Sequence, residues 1–180
     1  TPSGGVMYFN DNEYKFSGSL LNLSSDNYYY PYHFGKLTLS NVDLKVDLNL
    51  TNATSVDKVV IDSMDANNSV TLSELNLGDN KYNGASSVIF IILSTPDVIT
   101  YSVSESILDQ VFDSEARSIL YNTDRVATGK FEQYSPGTAD YVDPGNGTYS
   151  YGLILKSSDP KDPLAVLNTA VDLGTRNFTH

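Results

Sequence analysis

The stretch LTLSNVDLKVDLNLT, residues 37–51, constrains the fold more than any other part of the sequence. In its second half the even positions are apolar and the odd positions, Asp47 among them, are polar. A period of two residues predicts a long β-strand with one buried face and one solvated face. Leu37 and Leu39 have the opposite parity, so we expect a bulge or bend near Ser40–Asn41.

Further stretches carry similar strand signals, with turn residues between them. They are Tyr14–Leu23, Lys58–Met64, Ser69–Leu77, Ser87–Ser94, Val98–Val103, Thr148–Lys156 and Leu164–Leu173. One helical pattern occurs, over residues 102–122, where Ser102 and Glu105 can form a capping box. Many short strands and one helix predict a mostly β fold, a β-sandwich with one short helix. No internal repeat or linker divides the chain, so we expect one domain.

Six Asn-x-Ser/Thr triplets provide candidate N-glycosylation sites. They are at Asn22, Asn49, Asn52, Asn67, Asn146 and Asn177. Each lies where a strand pattern ends or a turn begins, and a glycan acceptor requires such exposed backbone. Asparagine also favours turns for conformational reasons, so both explanations stay open. If the sites are used, sugars would solubilise a chain of which only 18% is charged.

The net charge limits the kinds of partner that the chain can bind, and the cysteine content limits the cellular compartment in which we expect it. The net charge of −11 and the lack of a Lys/Arg cluster argue against binding to nucleic acid or anionic lipid. No apolar run reaches the ~20 residues of a membrane helix. The chain starts at Thr1 without a signal peptide, so we expect a processed mature form. Six sequons without cysteine point to a cell exterior that does not use disulfides, such as an archaeal surface.

The sequence lacks the motifs of common catalytic sites. There is no G-x-S-x-G, HExxH, P-loop or dinucleotide fingerprint, and a Ser/His/Asp triad would have to use His33. Acidic and amide residues cluster at 9–13, 62–68 and 158–163, which leaves calcium binding open, although none has EF-hand spacing. We therefore expect a non-enzymatic protein without a metal or cofactor. A hydrolase with dispersed carboxylates stays a third alternative.

The aromatic run NYYYPYHF, residues 27–34, suggests a second function. These rings could stack on sugars, pack over one end of the sandwich or contact another subunit. We expect Pro31 to interrupt any regular strand here. A secreted glycan-binding module is thus the alternative function, and it predicts that sugar binding is lost when Tyr29 or Tyr32 becomes Ala.

The N-terminus reads TPSGGVMYFNDNE, in which four apolar residues precede a polar segment. The four are Val6, Met7, Tyr8 and Phe9. This segment could be a frayed tail, the first strand of its own sheet, or a donor strand that adds to the sheet edge of a neighbour. In the third case residues 1–12 form the donor strand and joint, and residues 13–180 form a single β-sandwich domain.

With these features the chain resembles the archaeal thread filament subunits, which are extracellular pilin-like β-sandwich proteins. The shared features are the sequons, the missing cysteines, the Tyr/Asn/Ser/Thr-rich surface of low charge and the N-terminal SGGVMYFNDNE. The resemblance covers the general character of the whole chain. It implies an immunoglobulin-like pilin fold, covalent N-glycans and head-to-tail homopolymerisation by donor-strand complementation. The expected product is a cell-surface filament that serves adhesion or cell–cell contact.

Overall fold

The computed structural model describes residues 7–25, 28–77, 82, 84, 87–114 and 127–157. Within these ranges the chain forms eleven strands and one helical turn, so the prediction of a mostly β chain with one short helix is confirmed. The strands are β1 (Met7–Ser17), β2 (Leu20–Asn22), β3 (Pro31–Ser40), β4 (Val42–Asp47), β5 (Lys58–Ser63), β6 (Ser69–Asn76), β7 (Ser87–Thr95), β8 (Thr100–Val103), β9 (Val111–Asp113), β10 (Thr128–Tyr134) and β11 (Tyr149–Ser157). The helix α1 is Glu105–Leu108.

The first eight strands alternate between two sheets. Sheet A contains β1, β3, β5 and β7 side by side, and sheet B contains β2, β4, β6 and β8. All neighbours within these two sets run parallel. The chain therefore coils through four rungs, each made of one strand from each sheet, as in a two-sheet β-solenoid. Apolar side chains from both sheets form one core between them.

This pairing differs from the antiparallel order that an immunoglobulin-like sandwich requires. The physical reason is that the chain crosses to the opposite sheet after each strand and does not turn back in a hairpin. The alternation of polar and apolar residues shows which face of a strand is buried, but it does not show in which direction the strand runs beside its neighbours. Rung length also varies, since Ser17 pairs with Ser40, 23 residues later, and Val59 pairs with Leu93, 34 residues later. A coil of changing length leaves no fixed-period repeat in the sequence.

The parity change near Ser40–Asn41 is one of these crossings. Asn41 has a φ of 56°, which asparagine tolerates, and it joins β3 in sheet A to β4 in sheet B. Leu39 therefore enters the core from sheet A and Leu44 from sheet B, each 1% exposed. The expected bend is confirmed, and it divides the predicted long strand into two.

Three antiparallel strands continue sheet A beyond the fourth rung. β11 pairs with β7, β10 with β11, and β9 with β10. The register shifts between Tyr151 and Gly152, where an added Cβ on Gly152 would lie 1.9 Å from the Phe90 carbonyl oxygen. Only glycine permits so close a backbone approach. The Tyr101 hydroxyl donates to the Gly152 carbonyl at 2.9 Å, which ties these strands to sheet B.

Most of the other predicted strands agree with the structure. Five of them coincide with β5, β6, β7, β8 and β11 to within two residues at either end. Tyr14–Leu23 contains the end of β1 and all of β2, with a turn at Gly18 between them. Leu164–Leu173 lies outside the described residues.

The helix predicted over residues 102–122 is wrong in extent. α1 makes a single turn, and Val111–Asp113 forms β9. Ser104 is the N-cap residue, and no side-chain hydrogen bond completes a capping box. Its hydroxyl donates instead to the Ser73 carbonyl at 3.1 Å. Residues 115–122 lie outside the described part of the chain.

Candidate functional site

Strand β1 contains the residues predicted to act as a donor strand. Met7, Tyr8 and Phe9 pair in parallel with β3 of the same chain, and Val6 lies outside the described residues. The Phe9 ring stacks on Phe34, with ring centroids 4.7 Å apart and 15° between the planes. In this arrangement the segment is the first strand of its own sheet.

β1 runs without a break through the position expected to separate residues 1–12 from residues 13–180. Its register with β3 shifts between Phe9 and Glu13, so the polar residues between them form a local irregularity inside the strand. After this irregularity Tyr14 packs edge-on against Phe34 at 5.6 Å. Pairing with β3 then continues to Ser17.

β1 is an edge strand, and within the described residues its one neighbour is β3. Three aromatic residues of the first rung, Phe9, Tyr14 and Phe16, are only partly buried. In the next rung, by contrast, Leu37 and Leu39 are 0% and 1% exposed. An unpaired edge beside half-covered apolar side chains is a template for strand addition.

Two residues, Gly18 and Ser19, connect β1 to β2. Gly18 has a φ of 61°, a conformation that glycine adopts without steric cost. Its N–H donates to the Ser40 carbonyl at 3.0 Å, and the Ser19 carbonyl accepts from the N–H of Asp43 at 3.0 Å. These two backbone hydrogen bonds hold the connection against the crossing between β3 and β4.

Four charged side chains link β1 to the rest of sheet A. Lys36 Nζ lies 3.2 Å from Glu13 Oε2 and 3.3 Å from Asp65 Oδ1. Lys15 Nζ lies 3.7 Å from Glu13 Oε2 and 3.6 Å from Asp65 Oδ2. Hydrogen bonding from Lys36 lowers the pKa of the Asp65 carboxyl, and the Glu13 carboxylate raises the pKa of Lys36. We call these four residues the charge network.

Two of the stretches considered for calcium binding meet in the charge network. Residues 9–13 contribute Glu13 and residues 62–68 contribute Asp65, while residues 158–163 lie outside the described part of the chain. A lysine ammonium group lies between the two carboxylates. No group of three or more metal-ligating side chains occurs in the ranges that the structure describes.

His33 lies on the outer face of sheet A. Its Nε2 is 2.7 Å from Asp62 Oδ1, and its ring centroid is 5.2 Å from that of Tyr8. Among the described residues, no serine hydroxyl bonds to this ring. The arrangement therefore provides an acid–imidazole pair and an aromatic neighbour without the nucleophile of a triad.

Three of the candidate glycan acceptors share one local geometry. At Asn49, Asn52 and Asn146 the side-chain Oδ1 accepts hydrogen bonds from both the N–H and the hydroxyl of the threonine two residues later. The N···O distances to these N–H groups are 2.9, 3.0 and 3.2 Å. This is an Asx turn. The hydrogen bonds of the turn use the oxygen of the side-chain amide. They do not involve Nδ2, the atom to which a glycan bonds.

The remaining acceptors differ from these three. Asn22 is exposed at the end of β2, and its Oδ1 accepts the Ser24 N–H at 2.9 Å. Asn67 is exposed with a φ of 64° and precedes the buried Asn68. Asn177 lies outside the described residues.

The aromatic run at residues 27–34 does not form one surface. Tyr32 and Phe34 are 8% and 5% exposed, whereas Tyr28 is 61% exposed. The expectation that Pro31 interrupts a strand is wrong, because Pro31 is the first residue of β3, a strand position that proline tolerates. The alternation of β3 divides the run between the core and the outer face.

Sequence reasoning missed a pair of buried carboxylates, Asp47 and Asp57, both 0% exposed. The prediction that Asp47 lies on a solvated face is wrong, because β4 ends there and the connection between β2 and β3 covers it. The Ser25 N–H of that connection donates to Asp47 Oδ2 at 2.6 Å. No pattern in the sequence distinguishes Asp47 from the exposed Asp43 on the same strand.

The described part of the chain contains no helix of the length and apolar character that a membrane span needs. The edge strand β1 and the Asx turns at the three acceptors are the candidate functional features among the described residues. Comparison with protein-family models, curated proteins and solved structures finds no match to this chain.

Proposed function

We propose that this chain is a non-enzymatic structural subunit of a glycosylated extracellular filament. In the filament, β1 of one copy would pair with β3 of the next copy, so that subunits join head to tail. The single observation that carries the proposal is the position of β1. It is the first described strand of the chain and an edge strand of sheet A, and a connection of two residues follows it.

Strand exchange would reuse contacts that the chain already makes. The Phe9–Phe34 stack and the pairing of β1 with β3 would form between copies with the same geometry. Exchange of an identical element is a low-cost route to assembly, because the changes are confined to the hinge. Gly18 supplies a hinge that tolerates unusual backbone angles. Head-to-tail exchange that does not close on itself gives a filament.

The acceptor turns support an extracellular, sugar-coated surface. Asn52 and Asn146 are exposed, and their Asx turns lie outside the regular strands. Glycans at these positions would be attached to connections between strands. They would also solubilise a chain with few charged residues at low pH, where carboxylates lose their charge.

The proposal does not depend on an immunoglobulin-like or pilin-like sandwich. Strand exchange needs a terminal strand that can leave its sheet and a neighbouring strand that its departure leaves unpaired, and β1 and β3 provide these. Adhesion or cell–cell contact is the biological role that we propose for such a filament.

A disulfide trap distinguishes exchange from self-pairing. The chain contains no cysteine, and Lys15 and Thr38 are direct partners on β1 and β3. Neighbouring strands lie about 5 Å apart, within reach of a disulfide. The doubly substituted K15C/T38C protein, oxidised under assembly conditions, should give a ladder of covalent multimers on a denaturing gel.

The matched control places the two cysteines within one copy. Asp43 and Thr71 are partners on β4 and β6 of sheet B. The D43C/T71C protein should form the same assemblies but run as a monomer after oxidation. If K15C/T38C also runs as a covalently closed monomer while assemblies form, β1 is not exchanged.

A second candidate function is a glycan-binding module, which a smaller aromatic surface favours. The Tyr28 ring stacks on Tyr30, with centroids 6.1 Å apart and planes at 25°, and Tyr28 is 61% exposed. Tyr28→Ala should then abolish sugar binding by a monomer. The buried Tyr32 is unsuited to this test, since its truncation would damage the core.

A further inference from the structure

Asp47 and Asp57 lie together where the chain returns from sheet B to sheet A. Asp47 is the last residue of β4, and Asp57 immediately precedes β5. Their backbones also meet, because the Asp57 N–H donates to the Asp47 carbonyl at 3.0 Å. Both side chains are fully buried. We call this arrangement the acid pair.

The acid pair joins four segments of the chain. Asp57 Oδ1 accepts the Tyr30 N–H at 3.0 Å, and Oδ2 accepts the Asp47 N–H at 2.7 Å. Asp47 Oδ1 accepts the Ser24 hydroxyl at 2.9 Å and the Asn76 amide at 2.6 Å. These hydrogen bonds hold four segments together at one corner of the coil. The segments are the connection between β2 and β3, the end of β4, the connection between β4 and β5, and the end of β6.

No cation balances these carboxylates within the described residues. The ion pairs found there involve other carboxylates, and Lys45 of β4 is paired with Glu74 of β6 at 3.3 Å. Lys58 follows Asp57 on β5, and its N–H donates to the Tyr30 carbonyl at 3.1 Å.

The charged group that acts on the Asp57 carboxyl is the second acid, Asp47. Burial is the main cause that raises the pKa of Asp57 to about 7, and the Asp47 charge adds to it against the opposing backbone hydrogen bonds. Burial and the same two carboxyls raise the pKa of Tyr32 to about 12, with Tyr30 contributing. Two carboxylates without a cation in a buried site disfavour simultaneous ionisation.

We propose that the acid pair holds one proton in the folded protein, on Asp57, and that the folded chain therefore becomes more stable as the medium becomes acidic. The proton comes from solvent, and its uptake removes the charge that burial disfavours. This proposal is independent of strand exchange, because it concerns the stability of each subunit and not the contacts between subunits.

The sign of the effect follows from proton binding. Between the ordinary value of 3.8 and about 7 the folded chain binds more protons at Asp57 than the unfolded chain does. The contribution to stability is therefore complete below about pH 4 and is lost as the pH rises through 7. One proton changes the folding equilibrium constant by up to about tenfold per pH unit in this window.

Denaturant unfolding at pH 4, 5, 6 and 7 tests the proposal, with wild type compared with Asp57→Asn. The ratio of the wild-type folding equilibrium constant to that of the variant should rise about a hundredfold or more from pH 7 to pH 4. Asp43→Asn, which changes an exposed aspartate of sheet B, is the matched control for the removal of one carboxyl group. If the free energy of unfolding changed with pH in the same way in wild type and in Asp57→Asn, the proposal would be overturned.

A second measurement decides the matter if Asp57→Asn does not fold. Carbon-13 NMR of wild-type protein labelled at the aspartate carboxyls should show one carboxyl with a midpoint near pH 7. Asp47→Asn should lower that midpoint, since it removes the neighbouring charge, whereas a merely structural role for Asp47 would leave it unchanged. A spectrum in which every aspartate titrates below about pH 5 would contradict the proposal.

Discussion

The two ends of the solenoid differ in how they are covered. At the C-terminal end, β11 lies against β7, and its residues Leu153 and Leu155 are 0% exposed. The Gln133 amide from β10 also donates to the Tyr101 carbonyl of β8, at 3.1 Å, and so covers part of the edge of sheet B. At the N-terminal end, Phe9 and Phe16 of β1 remain partly exposed.

We relate this difference to the proposed exchange of β1. Repeat-like coils need terminal elements that cover the last rung, since otherwise the apolar interior meets water. The C-terminal strands supply such a cap. The N-terminal rung has no such strand among the described residues, and it contains β1, the strand that we propose is exchanged. Exchange of β1 alone, passed from each copy to the next, would join the copies head to tail.

Gly152→Ala changes the C-terminal end, where β11 pairs with β7, and should have the largest effect on stability. The new Cβ would lie 1.9 Å from the Phe90 carbonyl oxygen, and neither backbone can move without breaking the pairing of β11 with β7. We expect a loss of about 4 kcal/mol or more in the free energy of unfolding, measured with denaturant. Gly145→Ala is the control. Its φ of 79° is unfavourable for alanine but no atom lies within 4 Å, so it should cost about 1 kcal/mol. Equal losses would show that the cap is not tightly packed.

A matched pair of phenylalanine truncations compares the two ends directly. Phe90→Ala, at a site 0% exposed near the cap, should cost about 3–5 kcal/mol in unfolding free energy. Phe9→Ala, at the partly covered end, should cost only about 1–2 kcal/mol. Phe9→Ala should nevertheless abolish assembly, as seen by sedimentation. Intact assembly by a stable Phe9→Ala protein would remove β1 from the interface.

Lys36→Gln tests the charge network and should have the smallest effect. Lys36 lowers the pKa of Asp65, so the network stabilises the protein above the ordinary value of 3.8 and loses this contribution as the pH falls below it. In wild type, amide hydrogen exchange of β1 should be faster at pH 3 than expected from intrinsic rates, and faster in high salt. In Lys36→Gln both responses should diminish, and the exchange of β11 amides should stay unchanged. A uniform change in both strands would mean that the first rung does not open separately.

The positions of many strands could be predicted from the sequence, but whether neighbouring strands run parallel or antiparallel could not. The alternation that marks Ser69–Leu77 and Ser87–Ser94 depends only on which face is buried, so it located β6 and β7 well. Parallel and antiparallel strands share that alternation, so the coil was not foreseen. The apolar spacing from Ile107 to Phe112 fits a helix, but the chain leaves the helix after one turn to pair β9 with β10.

The candidate site was predictable only where local chemistry decides it. The Asx turns at Asn49 and Asn52 follow from the affinity of asparagine for turns. The burial of Asp47 could not be foreseen, because it results from a connection that is distant in sequence and covers the end of β4. The pairing of β1 with β3 is likewise a tertiary property. The sequence identified an apolar N-terminal segment but left open whether its partner was the same chain or another.

Electron cryo-microscopy of assemblies formed by the full-length chain would test strand exchange most directly. The decisive feature is the path of the backbone density through Gly18, between β1 and β2. If strands are exchanged, β1 leaves its own subunit there and lies beside β3 of the neighbour, with Phe9 stacked on the neighbour's Phe34. Density that returns β1 to β3 of its own subunit throughout the filament would contradict the account.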